Sequence, residues 1–417
     1  MYKKLLCFPL VFIGFLSSFG QDDVRNDKYQ MDFRPYQYNQ IWGGEKIDTL
    51  FPSRMLGYAK NVTIFTPYEF RELAGETYPL IVVNDRWSGI VTDHLLHSID
   101  LLMRFGQIPR SVVVGIESGG ASDEPNLRTK EAKWSIDGGE VHGEKYDQFV
   151  FDELIPYMKQ HYSIDNNQII IFGHSWFGYH TAMLLIHHIP DLFAVISACP
   201  CCLKSPRIDD IVQAVANCGP LERKFFFRVA SGHDIGDDLD VYRELTGKLS
   251  LARLPENFDY KTTWHSAAFH GEVPGLLLIQ SLYEIYTGWA DLGYAFADPA
   301  NHPTYDDARL YDSLQNISDR IYGFHIPISD IHLKWRVEYY RYIKNEEVKN
   351  NGKIATWKFM ISKYGENPEL YYNIAETYLL LKKPDETRLY LEKVKKSGAD
   401  KEMMRKAEEL EHKLNHL

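Results

Sequence analysis

Gly173-His174-Ser175-Trp176-Phe177-Gly178 is the segment of this sequence best equipped for chemistry. It directly follows the apolar run Ile169 to Phe172 and directly precedes a helix-like run. A serine on such a strand-to-helix turn has its Oγ lifted above the C-terminal edge of a sheet, and Gly173 lets the backbone approach closely there. The N–H of Trp176, at the helix start, points where negative charge develops on an attacked carbonyl oxygen, and the aligned peptide dipoles favour that charge. A chance Gly-x-Ser turn is the plainer reading. The strand before and the helix after favour a nucleophile.

A serine hydroxyl is a weak nucleophile at neutral pH, so it needs a histidine base and a carboxylate to orient that base, in chain order Ser, Asp or Glu, His. The strand Lys224 to Ala230 ends in Ser231-Gly232-His233-Asp234, which brings Asp234 to the same sheet edge. Asp237, Asp238 and Asp240 are alternatives, although a solvated acidic loop capping the next helix describes them better. His233 reads as structural. Phe269-His270-Gly271-Glu272-Val273-Pro274 leads into the amphipathic run Leu276 to Tyr286, and His270, on the loop entering that helix, is the expected base, with His265 as its competitor. The expected catalytic set is therefore Ser175, Asp234 and His270. Trp87 and Phe177, with Trp134 and Trp176, are candidates for an aromatic wall that binds a phenolic or sugar ester, although large aromatics are more often core.

These residues must be positioned by a sheet. Val62 to Phe65, Leu80 to Val83, Ser111 to Ile116, Gln168 to Phe172, Phe193 to Ser197, Lys224 to Ala230 and Tyr260 to Thr263 read as short apolar strands. Helix-like runs at Ile90 to Phe105, Tyr146 to His161, Phe177 to His188 and Leu276 to Tyr286 separate them, and Glu117 to Gly143 reads as a polar loop. The alternation predicts a three-layer α/β domain with a mostly parallel sheet.

At roughly 150 residues per domain, 417 residues fit one large domain and one smaller one. The expected division is a signal peptide at 1–20, the sheet domain at 21–290, a linker at 291–330 and a helical domain at 331–417. Pro368 to Glu402 carries Ile374, Ala375, Tyr378, Thr387, Leu391 and Val394 at the large and small positions of a tetratricopeptide-like helix pair of about 34 residues. Ile331 to Tyr364 reads as a degenerate pair before it, and Lys401 to Leu414 as a charged capping helix. This small all-α domain is expected to pack on the sheet domain, or to mediate self-association or bind a protein partner.

Composition excludes several classes. With 45% apolar and 25% charged residues the chain is neither collagen-like nor disordered. A formal charge of −11, from 46 Lys+Arg against 57 Asp+Glu, argues against nucleic acid as a partner. Lys3 and Lys4, the apolar stretch Leu5 to Leu16, and the small residues up to Gly20 form a secretory pattern with cleavage expected before Gln21. The expected location is periplasmic or secreted, without a membrane span. Cys7 would leave with the signal; Cys199, Cys201, Cys202 and Cys218 remain in a disulfide-permissive compartment and read as buried or bridged thiols, with one bridge plausible and its pairing open. Their spacing lacks a second ligand pair, so no metal and no cofactor is expected.

At Ser175, Asp234 and His270, with Pro52-Ser53-Arg54-Met55-Leu56-Gly57, Tyr78-Pro79-Leu80, Val112 to Ile116, Glu153-Leu154-Ile155-Pro156 and His270 to Pro274, the chain resembles the putative esterase family of α/β-hydrolases. That family includes enterochelin esterases, feruloyl and acetyl-xylan esterases and S-formylglutathione hydrolases, and a bacterial subgroup carries a similar helical tail. The resemblance runs from about Pro52 to Tyr286. It implies an α/β-hydrolase fold and a serine esterase acting on a small-molecule or carbohydrate ester, whether feruloyl, acetyl or siderophore-like. A serine peptidase and a non-catalytic binding protein on the same scaffold are the alternatives. It also implies that the N–H groups of Trp176 and Arg86 hold the oxyanion. Three features depart from the family pattern, one of them the lack of the usual Arg-rich segment after Gly115-Ile116, which makes the loop Glu117 to Gly143 this chain's own. Phe177 stands where a glycine is usual, so its ring must crowd the neighbouring strand or turn outward, and Asp85-Arg86 replaces Asp-Gly.

Overall fold

The computed structural model describes residues 43–70, 76–85, 89–119, 126–201, 205–234, 237–300 and 306–416. Its centre is an eight-stranded sheet of β1 (Lys46–Pro52), β2 (Ala59–Phe65), β3 (Tyr78–Val83), β4 (Val112–Ile116), β5 (Ile164–His174), β6 (Ala194–Ala198), β7 (Phe225–Ser231) and β8 (Phe258–Trp264). The order across the sheet is β1-β2-β4-β3-β5-β6-β7-β8. β2 pairs antiparallel with β1 and β4, and every later pair is parallel. The parallel strands are buried along their whole length in β3, β4, β6 and β7, which is why they read as unbroken apolar runs.

Alternate side chains serve opposite faces. Leu80 and Val82 enter one core, with Ile171, Tyr146 and Phe149, while Ile81 and Val83 enter the other, with Ile170, Ile99 and Leu278. The covering helices are α1 (Gly89–Arg104), α2 (Leu127–Ala132), α3 (Gly143–Gln148), which continues through a π turn (Phe149–Leu154) into α4 (Ile155–Tyr162), α5 (Trp176–Met183), α6 (Ser205–Asn217), α7 (Asp237–Leu251) and α8 (Val273–Ala297). This is the expected three-layer α/β-hydrolase fold. Three elements escaped the sequence pattern. β1 alternates exposed and half-buried residues at a sheet edge, α6 follows the Cys-rich turn, and α2 lies inside the stretch read as a loop.

A helical region follows: α9 (Asp307–Tyr322), α10 (Asp330–Tyr339), α11 (Glu346–Tyr364), α12 (Pro368–Leu380), α13 (Pro384–Lys396) and α14 (Lys401–Leu414). Its starts carry ordinary helix signals. Asn345, Asn367 and Asp400 accept hydrogen bonds from the first-turn N–H groups of α11, α12 and α14, and Pro368 and Pro384 occupy first turns. Tyr371, Ile374, Leu391, Val394, Ala407 and Leu410 form a core of their own with Phe296 and Leu333.

The expected linker 291–330 is corrected. α8 runs through to Ala297, and α9 is docked on it by the Tyr322 hydroxyl, which donates to Ile285 O (3.0 Å) and accepts from Trp289 N–H (3.1 Å). The Pro- and Asp-rich texture falls between two packed helices. The expected signal at 1–20 lies outside the described residues, and no helix among them is long and apolar enough to cross a membrane. Among the described cysteines Cys199, Cys201 and Cys218 are free thiols, the first two buried, which is the unbridged form of the reading above.

Candidate active site

Parallel pairing sets the strand ends level. His174 on β5 is registered with Ala198 on β6, and Ala198 with Ala230 on β7, so Ser175, Cys199 and Ser231 emerge side by side at one sheet edge. Ser231 is registered with Trp264 on β8, which feeds the loop carrying His270. Residues far apart in sequence are gathered there by the sheet alone.

Ser175 has φ 61° and ψ −121°, a conformation strained for a residue with a Cβ and typical of a side chain that must be presented. Its N–H donates to Ala198 O (2.9 Å) and its carbonyl accepts from Tyr179 N–H (2.9 Å), which fixes the turn between β5 and α5. Two glycines make that turn possible. A Cβ on Gly173 would lie 2.1 Å from Phe177 O, and one on Gly178 would lie 2.3 Å from Ala198 O.

Asp234 and His270 meet at this edge. His270 Nδ1 lies 3.1 Å from Asp234 Oδ1, while Asp234 Oδ2 accepts from Ser231 Oγ (2.6 Å) and Gly232 N–H (3.3 Å). Burial pushes the Asp234 carboxyl up, but the Ser231 hydroxyl, the adjacent His270 charge, the Gly232 N–H and the Cys199 thiol outweigh it and hold the group below the usual carboxylate range. An ionised Asp234 accepts the Nδ1–H hydrogen bond, leaving the lone pair on His270 Nε2. The Asp234 side chain is 2% exposed and that of His270 37%, so the acid is sealed and the base is reachable.

Ser175 Oγ has its hydrogen bond to Cys201 Sγ (3.5 Å), and none joins it to His270 in this structure. The expected competitors stand aside. His265 donates its backbone N–H to Ser231 O, Asp240 pairs with Arg243 on the exposed face of α7, and the exposed His233 sets its ring edge-on to Phe269 at 5.8 Å.

One expected site residue is corrected. Phe177 is fully buried, 5.0 Å from the Tyr146 ring and T-shaped to it, so it fills the core under the turn and does not line a pocket. Because α5 lets the ring turn inward, a large residue is accommodated without reshaping the elbow. Trp176 stays half-buried with Lys133 Nζ 4.8 Å over its ring. Arg86 and Trp87 lie outside the described residues.

Several neighbours were not singled out by sequence. His174 is buried, its Nε2 is 2.9 Å from His270 O, and burial together with the His270 charge lowers its pKa to about 3, so it is neutral. Cys199 hydrogen-bonds Asp234, and burial followed by the Asp234 charge pushes its thiol up. Arg128 on α2 forms a two-toothed ion pair with Asp85 at the end of β3 and acts electrostatically on Cys201. His174 and Cys199 flank motif positions, so a reader of the sequence could have followed them. Arg128 carried no signal.

The model of the family described as Putative esterase matches residues 53–265, just over half of the chain. No curated protein matches the sequence. Among solved structures, an IroE-like serine hydrolase from Shewanella oneidensis is similar at 16% identity and TM-score 0.56, over 76% of this chain and 100% of that one. An uncharacterised protein from Capnocytophaga ochracea is similar at 16% identity and TM-score 0.54, over 84% of this chain and 93% of that one. The BES protein from Bacillus cereus follows at 15% identity and TM-score 0.50, over 59% and 96%. At these identities the likenesses are of fold. The family match spans β2 to β8, including the turn at Ser175 and the strand that leads to Asp234, and on that ground the chain belongs to the putative esterase family.

Proposed function

We propose that this carboxylic ester hydrolase works through Ser175, His270 and Asp234 as an exported serine esterase. The observation that carries the reading is the strained Ser175 turn standing level with a sealed Asp234 whose carboxylate holds His270 Nδ1.

In this reading Ser175 Oγ rotates from Cys201 toward His270 Nε2, which takes its proton as the oxygen attacks the ester carbonyl. Asp234 holds the imidazole in the required tautomer and stabilises the imidazolium. The N–H groups of Trp176 and Arg86 receive the oxyanion, Trp176 with the help of the α5 dipole. His270 then delivers the proton to the leaving alcohol, and a water repeats the cycle on the acyl-enzyme. The substrate class we favour is a small-molecule or carbohydrate ester, of feruloyl, acetyl or siderophore type. The inward turn of Phe177 removes one reason for supposing a scaffold without catalysis. Export rests on Lys3, Lys4 and the apolar stretch Leu5 to Leu16.

The test is hydrolysis of p-nitrophenyl acetate at neutral pH by the mature protein beside Ser175→Ala, with labelling by a serine-directed phosphonate. Turnover and labelling of wild type only, at Ser175, is the expected result. Equal turnover by both would end the triad reading. N-terminal sequencing of exported protein is expected to begin at Gln21; intact Met1 in the cytoplasm would overturn export.

A further inference from the structure

Cys199 and His174 are two buried groups to which ester hydrolysis at Ser175 assigns no chemical step, and both crowd the histidine that it does use. One ligand atom from each of His174, Cys199 and His270 lies within 4.8 Å of the other two, the one such trio among the described residues. The His174 and His270 rings stand 4.6 Å apart, and Cys199 Sγ is 4.0 Å from His270 O.

Two imidazoles and a thiol are the donor set of borderline-soft divalent cations, above all Zn2+. We propose that His174, Cys199 and His270 form a binding site for Zn2+, and that its occupancy shuts the hydrolase off. Bonds of about 2.0–2.3 Å in a tetrahedron put ligand atoms roughly 3.5 Å apart, so the trio must draw in by about an ångström. His270 is free to supply that movement, since its side chain is 37% exposed and sits on the loop before α8. The same exposure gives the cation a route in.

The surroundings suit a ligated imidazole. Asp234, 3.1 Å from His270 Nδ1 and hydrogen-bonded to Cys199, is the carboxylate that orients a metal-binding histidine or closes the fourth position itself. Binding releases the Cys199 thiol proton to solvent and leaves thiolate, imidazole and cation as a closed set. A histidine whose lone pair is held by Zn2+ cannot take the Ser175 proton. The site itself does not depend on the triad reading; the inhibition does.

The test uses the full mature chain, stripped of metal, titrated with Zn2+ by calorimetry and with Co2+ by absorption. The expected result is one cation per chain, a thiolate-to-cobalt charge-transfer band, and at least a ten-fold loss of p-nitrophenyl acetate turnover in saturating Zn2+ that EDTA reverses. Cys199→Ser and His174→Asn should each weaken Zn2+ at least ten-fold, and Cys199→Ser should remove the band. If either variant fails to fold, the wild-type band still decides: its absence overturns the proposal. Binding that survives Cys199→Ser but is lost in His412→Ala would place the cation on the exposed His412 and His416 pair of the C-terminal end, 4.2 Å between rings, and also overturns it. Stoichiometric binding to a protein without esterase turnover supports the site and sinks the triad, while turnover without binding does the reverse.

Discussion

Arg128 grips Asp85 with its Nε 2.9 Å from Oδ1 and 3.0 Å from Oδ2 and with a further Nη2 contact, and the aspartate so held has φ 62°. Asp85 lies two residues past the end of β3, at the sheet edge of Ser175 and one residue before Arg86, the expected oxyanion donor. Its carboxylate is fully buried, so the guanidinium both neutralises it and pins a strained backbone. Arg128→Met is expected to lower kcat for p-nitrophenyl acetate by about ten- to a hundred-fold, the scale of an ångström-sized misplacement. Arg128→Lys should recover only part, because an ammonium cannot make the two-toothed contact. Steady-state kinetics beside thermal melting checks this; a folded Met variant with unchanged kcat would show that the pair does not set the loop.

Arg110 and Asp330 join the sheet domain to α10, with contacts of 2.5 and 3.0 Å and both side chains 3% exposed. Burial alone would raise the Asp330 carboxyl, but the Arg110 and Lys334 charges hold it well below the usual range. A depressed folded value stabilises the protein above the unfolded aspartate pKa of about 3.9 and loses that stability as pH falls below it. Asp330→Asn should therefore cost on the order of 3–5 kcal/mol near neutrality, because Arg110 is left buried with less charge to meet it. Urea melts at pH 7 and at pH 3 read this out. The penalty should shrink at pH 3, and an equal penalty at both would refute the linkage. Removal of 331–417 takes away Lys334 and the rest of α10 around Asp330, and should lower the melting temperature of what remains.

The same seam explains what the sequence could and could not reveal. Strands such as Leu80 to Val83 and Phe225 to Ala230 were legible because a parallel strand buried on both faces is an uninterrupted apolar run. Ser175, Asp234 and His270 can be singled out from sequence because each sits just past a strand or before a helix, where residue type and position coincide. α9 was misread as linker because its apolar contacts, Tyr311, Leu314 and Tyr322, are spaced among polar residues that reveal nothing without α8 beside them. Phe177 was misjudged because a turn sequence does not say which way its side chains point. Arg128 and Asp330 gain their meaning only from partners 43 and 220 positions away.

His332 supplies a second acid-sensitive contact in that seam. Its ring is fully buried against Gly106 and Gly293, where an added Cβ would lie 2.7 and 2.3 Å from ring atoms, and its Nε2 bonds Gly106 O at 3.2 Å. Burial lowers its pKa to about 4, against the opposing pull of the Gly106 carbonyl and Asp330. An unfolded histidine near 6.5 binds protons more readily, so stability is full above about pH 6.5 and falls as pH drops toward about 4. His332→Phe should flatten the melting temperature between those values even if it lowers it overall. A slope identical to that of wild type would assign the acid sensitivity elsewhere, with buried His180, also lowered to about 4, as the next group to test.

Lys60 and Glu131 pair at 2.8 and 2.9 Å with both side chains fully buried, and this anchors α2, the helix that carries Arg128, to β2. Burial lowers the lysine pKa against the raising influence of Glu131, which is how a charge far from water is tolerated at all. Glu131→Gln keeps one acceptor, for the Tyr58 hydroxyl (2.5 Å), but gives up the second oxygen that accepts from Gly119 N–H (3.4 Å) and leaves the ammonium uncompensated. It should destabilise by about 3–5 kcal/mol. Replacing both charges, Lys60→Met with Glu131→Gln, removes the uncompensated cation and keeps the acceptor for the Tyr58 hydroxyl, so it should recover most of the loss. The double variant should also recover activity, because α2 and Arg128 return to register with Asp85. Recovery of stability without activity would mean that the buried charge itself, and not the helix position, is felt at the site.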